Sequence, residues 1–302
     1  MIRKIAFGCA LLILAGCSTL SATSTSVTPG TPRVLAVETF IADMAQQVAG
    51  DRLVVESLLP PGVAAHAYQA APLDIIRVAR CDVLILNGGG IETFAQTLLQ
   101  NAGNHPLVIT ASSGLTPRQS SGTVDPQGDP HFWLDPNNAI TYVTNIRDGF
   151  IQADPQGKQV YTDHAAAYIL KLQALDAWIT TQVGLIPAGR RQLVTNHDSL
   201  GYFAERYGFK VVGEIIPSFS DESAPSARQL AALIDAVRAS QAQAIFLEAG
   251  ANPNLAEQLA GETQAVIVTD LYTEFLSSKD GPAPTYLDMM KYNVTSIVNA
   301  LK

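Results

Sequence analysis

Residues 154–187 read DPQGKQVYTDHAAAYILKLQALDAWITTQVGLIP, and the fold turns on this stretch. Asp154-Pro155 opens a helical pattern in which Ile169, Leu172, Leu175, Ile179 and Val183 recur every three or four residues until Gly184 and Pro187 end it. About 28 residues at 1.5 Å each make a helix of roughly 40 Å, enough to span a small protein. The spacing therefore predicts a rigid strut joining two lobes. The alternative is one helix inside a single continuous sheet.

On both sides of the strut, short apolar runs alternate with helical patterns. Before it, strands are expected at Arg33–Thr39, Leu53–Leu59, Asp82–Asn87 and Leu107–Ala111. After it they are expected at Gln192–Thr195, Lys210–Ile216, Ala244–Glu248 and Ala265–Thr269. Several are near-continuous Val, Ile and Leu, as in strands covered on both faces. Helices fall between them at Ile41–Val48, Pro72–Arg80, Glu92–Gln100, Leu200–Tyr207, Ala227–Ala239 and Pro253–Leu259, with a last one at Tyr286–Leu301. Ser226 with Gln229 makes a capping-box pattern, and Asn252-Pro253 a cap followed by Pro at the first helical position. The alternation means α/β: two lobes, each a four-stranded mostly parallel sheet flanked by helices and each with its own core, joined by one long backbone helix. The expected divisions are an N-terminal lobe at 33–153, the linking helix at 154–187 and a C-terminal lobe at 188–302.

The 302 residues are 47% hydrophobic and 15% charged, too apolar for a disordered chain. With 19 Lys+Arg against 27 Asp+Glu the formal charge is −8, which argues against nucleic-acid binding and against a basic membrane-surface protein. The three cysteines form neither a disulfide framework nor a Cys-rich zinc site, since Cys9 and Cys17 lie at the extreme N-terminus and Cys81 stands apart. Arg3 and Lys4 precede the apolar run Ile5–Leu14, which is too short to span a bilayer. The run ends in Leu14-Ala15-Gly16-Cys17, similar to a bacterial lipobox. That similarity implies a signal peptide at 1–16, cleavage before Cys17 and acylation of its thiol; an ordinary secretory signal cut nearby is the alternative. Residues 17–32 then read as a flexible tether, because Ser18–Pro32 is rich in Ser, Thr, Pro and Gly and carries no charge.

Three of the five histidines sit in turn-rich sequence just after strand candidates: His66, His131 and His197. Glu274 follows the last strand. Ligands of open α/β sheets bind beyond the carboxyl ends of strands, so two residues from each half could converge in a cleft between lobes. Three imidazoles and a carboxylate suit Zn²⁺. Asp270 and Glu248 are competing carboxylates, with Glu248 better suited to accept a hydrogen bond behind a ligand. A metal-binding His commonly donates its other ring N–H to a carboxylate. Asp198 and Asp135 could each serve so, although Asp135-Pro136 reads better as a helix cap. Trp133 and Phe132 are expected to pack and keep the site dry. His105, in a loop, and His164, on the strut, are expected to stay outside it.

These motifs resemble the zinc- and manganese-binding solute-binding proteins of bacterial ABC transporters over about residues 33–302. The resemblance rests on Pro60-Pro61-Gly62…His66, on Asp129-Pro130-His131…Trp133-Leu134-Asp135-Pro136, and on Asn196-His197-Asp198 continuing to Gly208. Phe246-Leu247-Glu248…Asn252-Pro253 and Leu271-Tyr272-Thr273-Glu274 complete it. It implies two α/β lobes joined by a backbone helix, one metal between them, and His66, His131 and His197 as ligands. The family usually has Asp where this chain has Glu274, which is one methylene longer with the same carboxylate.

Residues 112–128 contain no His and one Asp, unlike the His- and acid-rich loop of many zinc-specific relatives. The third histidine nevertheless favours zinc, since manganese prefers harder oxygen donors. The implied function is extracytoplasmic capture of Zn²⁺, with Mn²⁺ as the alternative, and delivery to an ABC permease and its ATPase. The protein would be a monomer held at the membrane by its lipid alone, and not an enzyme. A zinc hydrolase is the rival from another class: three histidines plus water would fit one, but no His-Glu-x-x-His pattern occurs. A cell-adhesion lipoprotein on the same fold is a third reading.

Overall fold

All eight expected strands form, and the computed structural model describes them within residues 30–119, 127–220 and 224–302. The first four are β1 (Val34–Ala36), β2 (Val55–Ser57), β3 (Val83–Leu86) and β4 (Leu107–Thr110). They alternate with α1 (Thr39–Ala49), α2 (Pro72–Arg80) and α3 (Ala95–Ala102). Next come α4 (Pro136–Ala153) and α5 (Lys158–Val183). The second half runs β5 (Gln192–His197), α6 (Gly201–Tyr207), β6 (Lys210–Ile216), α7 (Ala227–Ser240), β7 (Ala244–Glu248), α8 (Asn254–Thr263), β8 (Val266–Leu271) and α9 (Tyr286–Leu301). Cys17, the leader and the tether up to residue 29 lie outside the described residues. Among the described residues no helix is long and apolar enough to cross a membrane.

The strands make two four-stranded sheets, ordered β2-β1-β3-β4 and β6-β5-β7-β8. Every pairing is parallel. Helical crossovers cover both faces of such sheets. Accordingly Val34, Leu35 and Ala36 of β1 and Val83, Leu84 and Ile85 of β3 are all buried. The edge strand β8 departs from this, with Val266 exposed.

The strut expected at 154–187 forms as one long helix entered through a 3₁₀ turn. Asp154 both ends α4 and precedes the turn that opens the long helix: its backbone N–H donates to Phe150 O, and its carboxylate takes a bidentate contact from Arg52 and a 2.6 Å hydrogen bond from the Tyr161 hydroxyl. A 3₁₀ turn at Pro155–Gly157 follows, and α5 then runs for 26 residues, about 39 Å. Its buried residues are Tyr161, Ala165, Tyr168, Leu172, Leu175, Ile179 and Val183. They pack it against α4, α1 and α9. The 18-residue α4 was announced in the sequence by Asp135-Pro136: the Asp135 carboxylate accepts from Asn137 N at 2.8 Å and Pro136 takes the first position. It lies close on β4 because Gly149 has no side chain; a Cβ there would stand 2.2 Å from Ile109 Cδ1.

The two sheets do not have separate cores, contrary to expectation. One apolar cluster runs from β1 through α1, α4 and α5 into Phe203, Phe209, Phe246 and α9. A smaller cluster, built on Val194, Val237, Ile245 and Leu259, backs the second sheet. The reason lies in α9, whose apolar face closes back over α1 and α5. Tyr286 of α9 donates its hydroxyl to Trp133 O at 2.6 Å, and its N–H to Asp43 of α1 at 2.9 Å.

Candidate metal centre

Each of the four sequence-selected residues follows the carboxyl end of a strand. His66 lies in the loop after β2, His131 after β4, His197 ends β5, and Glu274 comes three residues after β8. The structure brings one nitrogen of each ring and one oxygen of the carboxylate within 4.8 Å of one another. Among the described residues this is the one such group of three or more His, Cys, Asp or Glu. His131, His197 and Glu274 are buried, and the His66 side chain keeps 9% of its surface in solvent.

The donor atoms face one another across a common point. His131 Nε2 stands 3.3 Å from both His66 Nε2 and His197 Nε2. Glu274 Oε1 is 3.1 Å from His197 Nε2, 3.7 Å from His66 Nε2 and 3.8 Å from His131 Nε2. Donors held tetrahedrally on zinc at about 2.0–2.1 Å stand roughly 3.3–3.4 Å apart. Three of these separations lie close to that edge, and the two longer ones leave the carboxylate on the open side.

The outer groups fix the rings. Asp129 Oδ1 takes His131 Nδ1 at 2.7 Å and His131 N at 2.9 Å. Glu248 Oε2 stands 2.9 Å from His197 Nδ1, while its Oε1 accepts from Ser199 Oγ at 2.8 Å. A carboxylate opposite Nδ1 places the proton there and leaves the Nε2 lone pair aimed into the site. Neither oxygen of Glu274 accepts a hydrogen bond among the described residues. Buried acceptors facing acceptors are costly, and a cation relieves the arrangement. Trp133 helps to hold it: the indole N–H donates to Thr273 O at 2.7 Å, anchoring the segment that carries Glu274, and the ring lies 5.2 Å from the His131 ring.

Protonation follows these surroundings. Burial, aided by the neighbouring imidazoles, lowers His66 to about 4. Burial would lower His131 too, but Asp129 and Glu274 outweigh it and raise the ring. His197 is likewise desolvated, yet Glu248 and Glu274 hold it well above the usual histidine range. Burial would raise Glu274, but His131 and His197 keep it ionised, well below the ordinary carboxylate value.

The remaining candidates separate. Asp270 is exposed, in a left-handed conformation near the end of β8, accepts from Thr269 Oγ1 and is not among the four clustered residues. Asp135 caps α4 and touches no histidine ring. Asp198 is buried near Arg118, at 3.5 Å, and does not hold a ring either. Glu248 stands behind His197 and outside the four-donor group. His105 is exposed and His164 lies against Gly50. Two residues went unremarked in the sequence: Asp129, although it opens the motif quoted for His131, and Arg118, which pairs with it at 2.8 Å. The proximity of Asp129 to His131 was a usable signal; for Arg118 there was none.

The chain has close counterparts. It is 32% identical over 291 residues to the manganese-binding lipoprotein MntA of Halalkalibacterium halodurans, covering 96% of this chain and 95% of that one. It is 33% identical over 266 residues to the iron-binding protein YfeA of Yersinia pestis, covering 88% and 85%. A Mn-bound periplasmic metal binding protein from Candidatus Liberibacter asiaticus superposes with a TM-score of 0.82 at 30% identity, over 90% of this chain and all of that one. The periplasmic zinc binding protein TroA from Treponema pallidum gives 0.82 at 27% identity, over 90% and 99%. The family model described as zinc-uptake complex component A, periplasmic, matches residues 34–300, and the chain belongs to that family.

Proposed function

We propose that this protein captures a divalent transition metal ion, zinc before others, outside the cytoplasmic membrane and delivers it to an ABC permease with its ATPase. The observation that carries the proposal is the buried group of His66, His131, His197 and Glu274, its lone pairs converging without hydrogen-bond partners for Glu274. The ion is cargo, and no bond is made or broken. Glu274 stands where a catalytic zinc would keep its water, which favours a binding protein over a hydrolase. Acylation of Cys17 and the 17–32 tether would hold a monomer at the membrane face within reach of its permease. The divisions 33–153, 154–187 and 188–302 are proposed as the working units.

A second reading is favoured by a specific observation. Glu274 Oε1 lies 3.7 and 3.8 Å from two of the three rings, wider than a zinc tetrahedron requires, and its second oxygen is also free of hydrogen bonds. A larger ion with more oxygen donors, Mn²⁺, would fit that side, in keeping with the manganese named for two of the relatives. Titration of the stripped protein with Zn²⁺ and Mn²⁺ in competition tests both. One tightly held ion per chain with zinc preferred is expected. Preference for Mn²⁺ would support the second reading, and two or more ions surviving dialysis would count against a single site.

A further inference from the structure

Arg118 lies in the loop after β4 and makes its contacts on both sides of the cleft. Its Nη1 is 2.8 Å from Asp129 Oδ2, the same carboxylate whose other oxygen holds the His131 ring. From there the guanidinium reaches into the C-terminal half: Nη1 is 3.5 Å from Asp198, the residue after His197, and Nε donates to Glu205 of α6 at 3.0 Å. The Tyr202 hydroxyl of α6 repeats the bridge. It accepts from Arg118 N at 3.0 Å and donates to Asp129 O at 2.8 Å. The place is shaped for the guanidinium, since a Cβ on Gly201 would stand 1.8 Å from Nη1. Asp129 and Asp198 are buried, and the Arg118 side chain is 17% exposed.

Resting on the metal-capture reading, we propose that Arg118, with the Tyr202 hydroxyl, is a positioning element that ties the orientation of His131 to contact between the two halves and so sets how slowly the ion leaves. Asp129 cannot turn the His131 ring away while its second oxygen is held by Arg118. Arg118 stays in place while α6 lies against it. Separation of the halves therefore frees the ring as well as parting the donors. A planar fork is needed to serve Asp129 and Glu205 from two different nitrogens at once, which a lysine cannot do.

The test is the release rate of zinc into excess chelator, measured for wild type, Arg118→Ala, Arg118→Lys and Tyr202→Phe, beside the melting temperature of each metal-free protein. Losing support behind a metal ligand typically costs 10–100-fold in affinity. Release from Arg118→Ala should accelerate by about that range. Arg118→Lys should recover the melting temperature but not the wild-type rate. Tyr202→Phe, which keeps every charge, should release faster than wild type at an unchanged melting temperature. Where Arg118→Ala does not fold, Tyr202→Phe decides. A folded Tyr202→Phe that releases zinc at the wild-type rate overturns the inference, as does an Arg118→Lys that restores wild-type release. If wild type itself holds neither Zn²⁺ nor Mn²⁺, it is the metal-capture reading that fails, and the inference with it.

Discussion

At the scale of single residues, the three histidines are not equivalent. His197 is fully buried and backed by Glu248, so His197→Ala should weaken zinc binding by at least about 10–100-fold, the range for lost outer support alone. Calorimetry checks this, with the exposed His105→Ala expected to match wild type. Glu274→Gln should remove the anionic donor and cost more affinity than Glu248→Gln, which only loosens a ring; equal losses would contradict the assignment. Acidity enters through the raised rings. Ligation needs the inward nitrogen of each ring unprotonated, whereas Asp129 and Glu274 favour the charged form of His131 and Glu248 and Glu274 that of His197, so affinity should fall with acid. Binding near neutral pH should release protons, visible as a dependence of the calorimetric heat on the buffer's ionisation enthalpy. The four clustered residues are legible as candidate donors because each sits after a strand in turn-rich sequence. Asp135 is legible as a cap from the Pro that follows it, whereas Asp129, two residues from His131, becomes the ring's partner only once the 3₁₀ turn at Phe132–Leu134 sets the direction of the ring. Arg118 was illegible because its partners lie up to 87 residues away and meet it only in the folded protein.

At the scale of elements, α5 answers for much of the packing. Leu172 is fully buried at its middle, so Leu172→Ala should cost about 2–5 kcal/mol of stability in denaturant unfolding, with zinc affinity little changed at full folding. The strand–helix order and the strut's apolar stripe could be read directly, because periods of 2 and 3.6 are local properties. Asp154-Pro155 also marks the break between α4 and α5. Asp154-Pro155 signals a helix start equally well whether the preceding segment is loop or helix, and the Arg52 and Tyr161 contacts that settle Asp154 at the end of α4 come from distant and following turns. The shared core was also hidden, since the stripe on α9 says that one face is buried but not that it closes over α1 and α5.

At the scale of the whole molecule, a ligand that binds only the folded chain stabilises it by mass action, by about 4.1 kcal/mol at a thousand times its dissociation constant. The melting temperature should therefore rise with added zinc in wild type and stay flat in Glu274→Gln at the same concentration; calorimetric scans check this. The four donors divide evenly, His66 and His131 from the first half, His197 and Glu274 from the second. If the four hold the ion as proposed, its affinity is a chelate effect shared between two bodies. Part the halves slightly, and a four-toothed chelator becomes two two-toothed ones, each holding the ion far more weakly than the whole. A transporter that grips both halves would need no acid and no reductant to unload its cargo. A small mechanical strain across the cleft would lower the denticity, and the ion would leave for whichever set of donors was still complete.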